Sequence, residues 1–218
     1  MTRREFPALG FDPAPGEPAE LSGAQHAAAA SAATYAGAAD TLTRLDSADW
    51  TGQAADGFRS QLANLPGNLD RAATAHRETA AALGDYADTL TALQRRADDL
   101  ERQAADLSAR QSAAVAEVNR IAAERAPANS ADLAHLQENY RSARATANSY
   151  AEQLDDVLTQ ARRLATEHHA AAHTAATRIR GQLDTPYREP PWYKRAWNAT
   201  TGWIKNHADT LQSISGAL

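Results

Sequence analysis

The sequence contains no cysteine, which excludes disulfides, thiolate metal sites and cysteine nucleophiles together. Large side chains are also scarce, because aromatics are 6% of the chain and most of the 43% hydrophobic fraction is alanine. Alanine favours helix but buries little area, so we expect long, closely paired helices rather than a thick globular core. The net charge of −5 gives the protein no bulk attraction for nucleic acid, and none is expected as a partner.

Long apolar runs are missing as well. No segment approaches the roughly 18 apolar residues that a membrane-spanning helix needs. Arg3 and Arg4 lie near the N-terminus without an apolar stretch behind them, which excludes a signal peptide of the general secretory type. If the protein leaves the cytoplasm in which it is made, we expect a different signal to direct it.

Proline and glycine concentrate in residues 1–20, which we expect to form an extended leader. Three large apolar side chains could pin this leader to a helical surface: Phe6, Leu9 and Phe11.

Three helical regions are predicted after the leader, each with apolar or small residues at alternating spacings of three and four. The first runs from about Leu21 to Leu45, with Glu20 or Ser22 as its N-cap. The second begins near Gln53, keeps one register to about Ile121, and should bend or break at Pro66. A turn around residues 125–130 leads into the third region, which ends near Gly181.

This layout predicts an all-α fold. Residues 21–183 should form an elongated antiparallel helical hairpin or coiled-coil stalk, with the N-terminal helix packed on it. Residues 184–218 are a Trp-rich tail in which short amphipathic helices are expected. The tail aromatics Trp192, Trp197 and Trp203 alternate with cations and could lie at a membrane interface, fold back on the stalk, or dock onto a further domain.

No catalytic constellation is apparent. The sequence has no phosphate loop, nucleophile elbow or dinucleotide fingerprint, and its carboxylates can pair with arginines at helical spacing. His169 and His173 are four apart on one helical face, which is workable metal spacing, but no third ligand can be placed. We therefore predict a protein that is not an enzyme and that has no cofactor or metal.

The segment Trp50–Phe58 combines an aromatic residue with a glycine at a helix–helix connection. Together with the leader, the alanine-rich first helix, Leu62-x-x-Leu65-Pro66 and the Trp-rich tail, it resembles the N-terminal secretion module of actinobacterial polymorphic toxins. These belong to the Trp-x-Gly and Leu-x-Gly superfamily and are exported by type VII secretion. The resemblance is strongest over residues 10–100.

The resemblance implies an export signal recognised as a helical hairpin, usually paired with a small helical Trp-x-Gly-type protein, with Trp50, Gly52 and Phe58 matching the turn motif. The companion motif, Tyr followed four residues later by Asp or Glu, is absent, because Leu90 follows Tyr86 and Leu154 follows Tyr150. Either the partner supplies that motif or recognition depends on the folded shape.

Two functions follow from these features. The first is a non-enzymatic targeting and delivery module that directs a toxin or effector through type VII secretion, so that the protein is secreted without a signal peptide or resides in the cell envelope. The alternative is a self-associating coiled-coil scaffold, homodimeric, that binds membranes through the Trp192, Trp197 and Trp203 tail.

Overall fold

The computed structural model describes residues 4–44, 51–125 and 130–183. Over these ranges the protein is built of α-helices joined by turns, with no β-strand. The all-α fold class is therefore confirmed. The four helices of the described ranges are α1 (Pro18–Thr43), α2 (Gln53–Leu62), α3 (Leu65–Arg125) and α4 (Ser130–Leu183).

Three predicted features lie wholly or mostly outside the described residues. They are the turn between the first two helices, the turn around residues 125–130, and the short C-terminal helices predicted within residues 184–218. In the part of the chain that is described, no helix is both long enough and apolar enough to cross a membrane.

Helix α1 begins earlier than predicted. Its N-cap is Glu17, in extended backbone, and Pro18 is its first residue. Proline suits that position because its fixed φ is already helical and its missing N–H has no acceptor in the first turn. The predicted caps Glu20 and Ser22 were wrong, because both lie inside the helix; the Ser22 hydroxyl donates to the Pro18 carbonyl at 3.0 Å.

The predicted interruption at Pro66 is present. Helix α2 ends at Leu62, residues 63 and 64 form a turn, and α3 begins at Leu65 with Pro66 in its first turn. At that position the proline does not remove a hydrogen bond from the interior of the helix.

Tertiary contacts group the chain into two units. One unit contains the described leader residues up to Pro15 together with Ala92–His168. The other contains Gly16–Thr91 and the described residues of α4 from His169 onward.

In the unit that contains α1, three helices share a core. Leu21 and Ala24 of α1 pack with Ala82 and Leu83 of α3 and with Ile179 of α4. A second cluster lies towards the C-terminal end of α1, and its members are Tyr35, Ala38, Ala39, Leu42, Leu65 and Leu69. Residues late in α1 thus meet residues early in α3, so the two helices are antiparallel.

The same unit contains an aromatic contact across the α1–α3 interface. The ring centroids of Tyr35 and His76 are 5.1 Å apart, and Nδ1 of His76 is 2.9 Å from the Ala72 carbonyl oxygen. His76 is only 5% exposed, and the hydrogen bond to its own helix satisfies one nitrogen of this buried polar ring.

In the unit that contains the leader, α3 and α4 form an antiparallel pair. Arg96 of α3 donates to Glu167 of α4 at 2.5 Å, and Gln103 lines the same shallow groove as Gln160, so numbers rise along one helix as they fall along the other. The buried seam between them follows the predicted heptad positions: Leu93, Ala97, Leu100, Ala104, Ile121, Ala147, Val157, Ala161, Leu164 and His168.

Candidate functional site

Gly52 is the N-cap of α2 and has backbone angles of φ 111° and ψ 170°. Residues that have a Cβ rarely adopt these backbone angles, so the position requires glycine. Apart from its chain neighbours, no described residue has an atom within 4 Å of the position that a Cβ at Gly52 would occupy, so among these residues the requirement is one of backbone conformation rather than space. Its carbonyl accepts the Asp56 N–H at 3.1 Å and so starts the helix.

Helix α2 presents Phe58 at its surface. Phe58 is 39% exposed, whereas Ala55, nearly one turn earlier, is fully buried and faces the protein. Beside them Arg59 donates to Asp56 at 2.9 Å on the exposed side of the helix. Helix α2 therefore packs on the protein through the small side chain of Ala55. The ring of Phe58, six residues after the N-cap Gly52, stays partly accessible.

The other predicted site residues lie outside the described residues. They are Trp50 at the turn and the tail residues Trp192, Trp197 and Trp203. The structure therefore describes two of the three residues of the turn motif, and the membrane-binding alternative gains no support from it.

The exposed side of α1 carries a second heptad-spaced row that the sequence analysis missed. We call it the small-residue face; all six of its members are exposed and uncharged, and they are Gly23, Ala27, Ala30, Thr34, Gly37 and Thr41. Their spacings of four and three place them on one side of the helix, opposite the buried Ala28, Ala32 and Ala39. The signal was present in the spacing, but alanine and glycine contribute little to a hydrophobic pattern.

Hydrogen bonds within the small-residue face leave its hydroxyls engaged. Thr34 donates to the Ala30 carbonyl at 3.0 Å, and Thr41 donates to the Gly37 carbonyl at 2.8 Å. With the hydroxyls engaged and no charge in the row, another helix could approach this face closely at little desolvation cost.

The histidines do not form a metal site in the part of the chain that is described. His169 is half-buried and His173 is exposed. Among the described residues, no group of three or more His, Asp or Glu side chains could hold a metal ion. The groove between α3 and α4 is shallow and is lined mainly by charged side chains such as Arg96, Arg163 and Glu167.

The fold and these surfaces define an all-helical protein whose candidate features are exposed helix faces and a glycine-dependent turn. A family model described as "Putative T7SS secretion signal domain", T7SS being the type VII secretion system, matches residues 14–190. The chain belongs to this family. Neither the curated proteins nor the solved structures provide a match.

Family membership confirms the predicted link to type VII secretion and indicates secretion by a route that does not use a signal peptide. The family is not a catalytic one. Membership also implies interaction with the secretion machinery, while the helical partner, the toxin and the actinobacterial origin remain predictions.

Proposed function

We propose that the chain is the delivery module of a toxin or effector. It directs export through type VII secretion by presenting a folded helical surface to a small helical partner and to the secretion machinery. The module itself performs no chemistry. The match to the secretion signal family over residues 14–190 supports this proposal.

The small-residue face of α1 is the observation that carries partner recognition. Most exposed helix positions of α3 and α4 are charged or polar, whereas this row of six residues has no charge and no long side chain. Heptad-spaced small residues allow a partner helix to pack with a short interaxial distance. We assign the small helical partner to this face.

The turn motif supplies a second contact. Gly52 fixes where α2 begins, and Phe58 offers a partly exposed ring on that helix. Trp50 stands two residues before the glycine and, in this proposal, completes the aromatic pair that the machinery or the partner recognises. Trp192, Trp197 and Trp203 would join the module to whatever it carries.

A secretion assay tests the role of the turn. Gly52→Ala, Trp50→Ala and Phe58→Ser should each reduce export of the full chain strongly while the purified variants keep the helical circular dichroism of the wild type. Two controls are matched by chemistry: Gly57→Ala, in the same helix with open space at its Cβ, and Val115→Ser, a 44% exposed side chain of α3. Normal export of the three turn variants would refute the assignment of the turn.

Charge placed on α1 tests the partner face. Ala30→Glu lies within the small-residue face, whereas Ala29→Glu lies about 100° around the same helix and is also exposed. Co-purification with the helical partner should be lost for Ala30→Glu and kept for Ala29→Glu. If Ala30→Glu instead turned a dimer of the isolated chain into a monomer, the face would hold a second copy.

A further inference from the structure

Both ends of the described leader contact the same face of α3. The guanidinium of Arg4 donates from Nη2 to the Gln94 carbonyl at 2.8 Å, and the Gln94 side chain donates to the Ala14 carbonyl at 3.2 Å. One residue of α3 therefore holds the first and the last part of the described leader.

Glu101 holds the middle of the leader. Its two carboxylate oxygens accept the backbone N–H groups of Ala8 at 2.8 Å and Leu9 at 3.0 Å. Such bonds to a charged acceptor are stronger than neutral ones and satisfy donors that an irregular segment cannot pair within itself. The leader also buries apolar side chains, with Phe6 at 7% and Leu9 at 6% exposure.

The polar groups around Arg4 are not all paired by hydrogen bonds. Arg4 bonds to Asp98 and its guanidinium lies 4.8 Å from the centre of the Phe6 ring, but among the described residues its buried Nη1 has no hydrogen-bond partner. Nη1 is 3.7 Å from Asp12, and burial raises the pKa of that carboxyl despite its bond from the Ala14 N–H and the charge of Arg4. A buried donor without an acceptor and a desolvated carboxyl both weaken the docked leader.

The leader and α4 use different faces of α3. Gln94, Asp98 and Glu101 lie at spacings of four and three on the leader face, each about 100° around α3 from the buried Leu93, Ala97 and Leu100. The Arg96–Glu167 contact between α3 and α4 and the helical hydrogen bonds of α3 involve no leader residue, so loss of the leader would not break them.

We infer that residues 4–15 form a reversible strap, which docks on the Gln94–Glu101 face of α3 and releases from it as a unit while α3 and α4 stay paired. Docking controls whether Phe6, Leu9 and the Gln94–Glu101 face of α3 are accessible to another molecule. The family match begins at residue 14, so most of the strap lies outside it and the inference does not rest on the export function.

Hydrogen exchange of the full chain, followed by mass spectrometry, tests the strap. In the wild type, peptides that cover Ala8 and Leu9 should exchange more slowly than a free peptide of the same sequence, and faster than the seam of α3. In Glu101→Gln, which loses the charge and one acceptor oxygen, leader exchange should accelerate about tenfold, with α3 and α4 unchanged within about twofold. Arg4→Gln should act in the same direction.

Two variants control for loss of surface charge. Glu117→Gln and Arg102→Gln remove groups that pair within α3 itself, with Arg120 and Asp99, and should leave leader exchange unchanged. The strap is refuted if the wild-type leader exchanges like the free peptide, if leader and helices exchange in one cooperative event, or if Glu101→Gln matches Glu117→Gln.

Discussion

Arg178 of α4 donates to Asp85 of α3 across 2.7 Å, and Glu78, about two turns earlier on α3, is 4.0 Å from the same guanidinium. The pair joins two helices at positions 93 residues apart in sequence, so it reports on the register of the antiparallel pairing rather than on either helix alone.

Charge reversal at this pair should reveal the register. Arg178→Glu places three carboxylates together and should lower the free energy of unfolding by about 1 kcal/mol, since exposed pairs contribute little each. Adding Asp85→Arg should restore part of the loss, measured by urea unfolding in a double-mutant cycle.

Arg141 provides the control for that rescue, because its partner Glu138 lies in the same helix. Asp85→Arg should not rescue Arg141→Glu. Additive effects of Arg178→Glu and Asp85→Arg would contradict the observed register.

The unequal burial of leucines along α4 predicts that Leu→Ala lowers the free energy of unfolding by different amounts at different positions. Leu164 is fully buried in the seam with α3, so Leu164→Ala should destabilise the protein by about 2–5 kcal/mol through lost burial and a residual cavity. Leu133 is 38% exposed, and Leu133→Ala should change stability by less than about 1 kcal/mol. Urea unfolding followed at 222 nm compares them, and equal losses would show that the seam is misplaced.

The heptad seams of α3 and α4 were predictable because large aliphatic residues recur at one face over many turns. Leu83, Leu90 and Leu100 were all placed correctly from spacing alone. The second buried face of α3, at Ala73, Ala80 and Ala87, was not predicted. An alanine is equally compatible with a buried or an exposed helix position, so its burial depends on which helix packs against it, and the spacing alone does not specify that.

The docking of the leader was predictable only in part. Phe6, Leu9 and Phe11 were expected to pin it to a helix; Phe6 and Leu9 are buried, and Phe11 is only partly buried. The polar half of the interaction was missed because Arg4 and Glu101 lie far apart in sequence and each resembles an ordinary surface charge. Gly52 of the predicted turn motif adopts a positive φ, a backbone feature that the motif match alone did not specify.

Tyr86 should make the protein sensitive to alkali. Burial raises the pKa of its phenol from an ordinary value of 10.0 to about 12. Between these pH values the folded state keeps a proton that the unfolded state loses, so stability falls as pH rises. Urea unfolding at several pH values from about 9 to 12 should show a steeper decline for the wild type than for Tyr86→Phe. Parallel declines would contradict the shift.

Gly16 precedes the α1 N-cap and combines two constraints. Its φ is +136°, which disfavours any residue with a Cβ, and a Cβ there would lie 3.0 Å from Cδ2 of Leu90, itself 1% exposed. Gly16→Ala should therefore destabilise the protein by about 1–3 kcal/mol. Gly67→Ala is the matched control, because Gly67 is helical with open space at its Cβ and the change should be neutral or stabilising by up to about 1 kcal/mol. Thermal and urea unfolding of both variants gives the comparison. Equal stability of the two would mean that the chain enters α1 by a backbone path different from the one described.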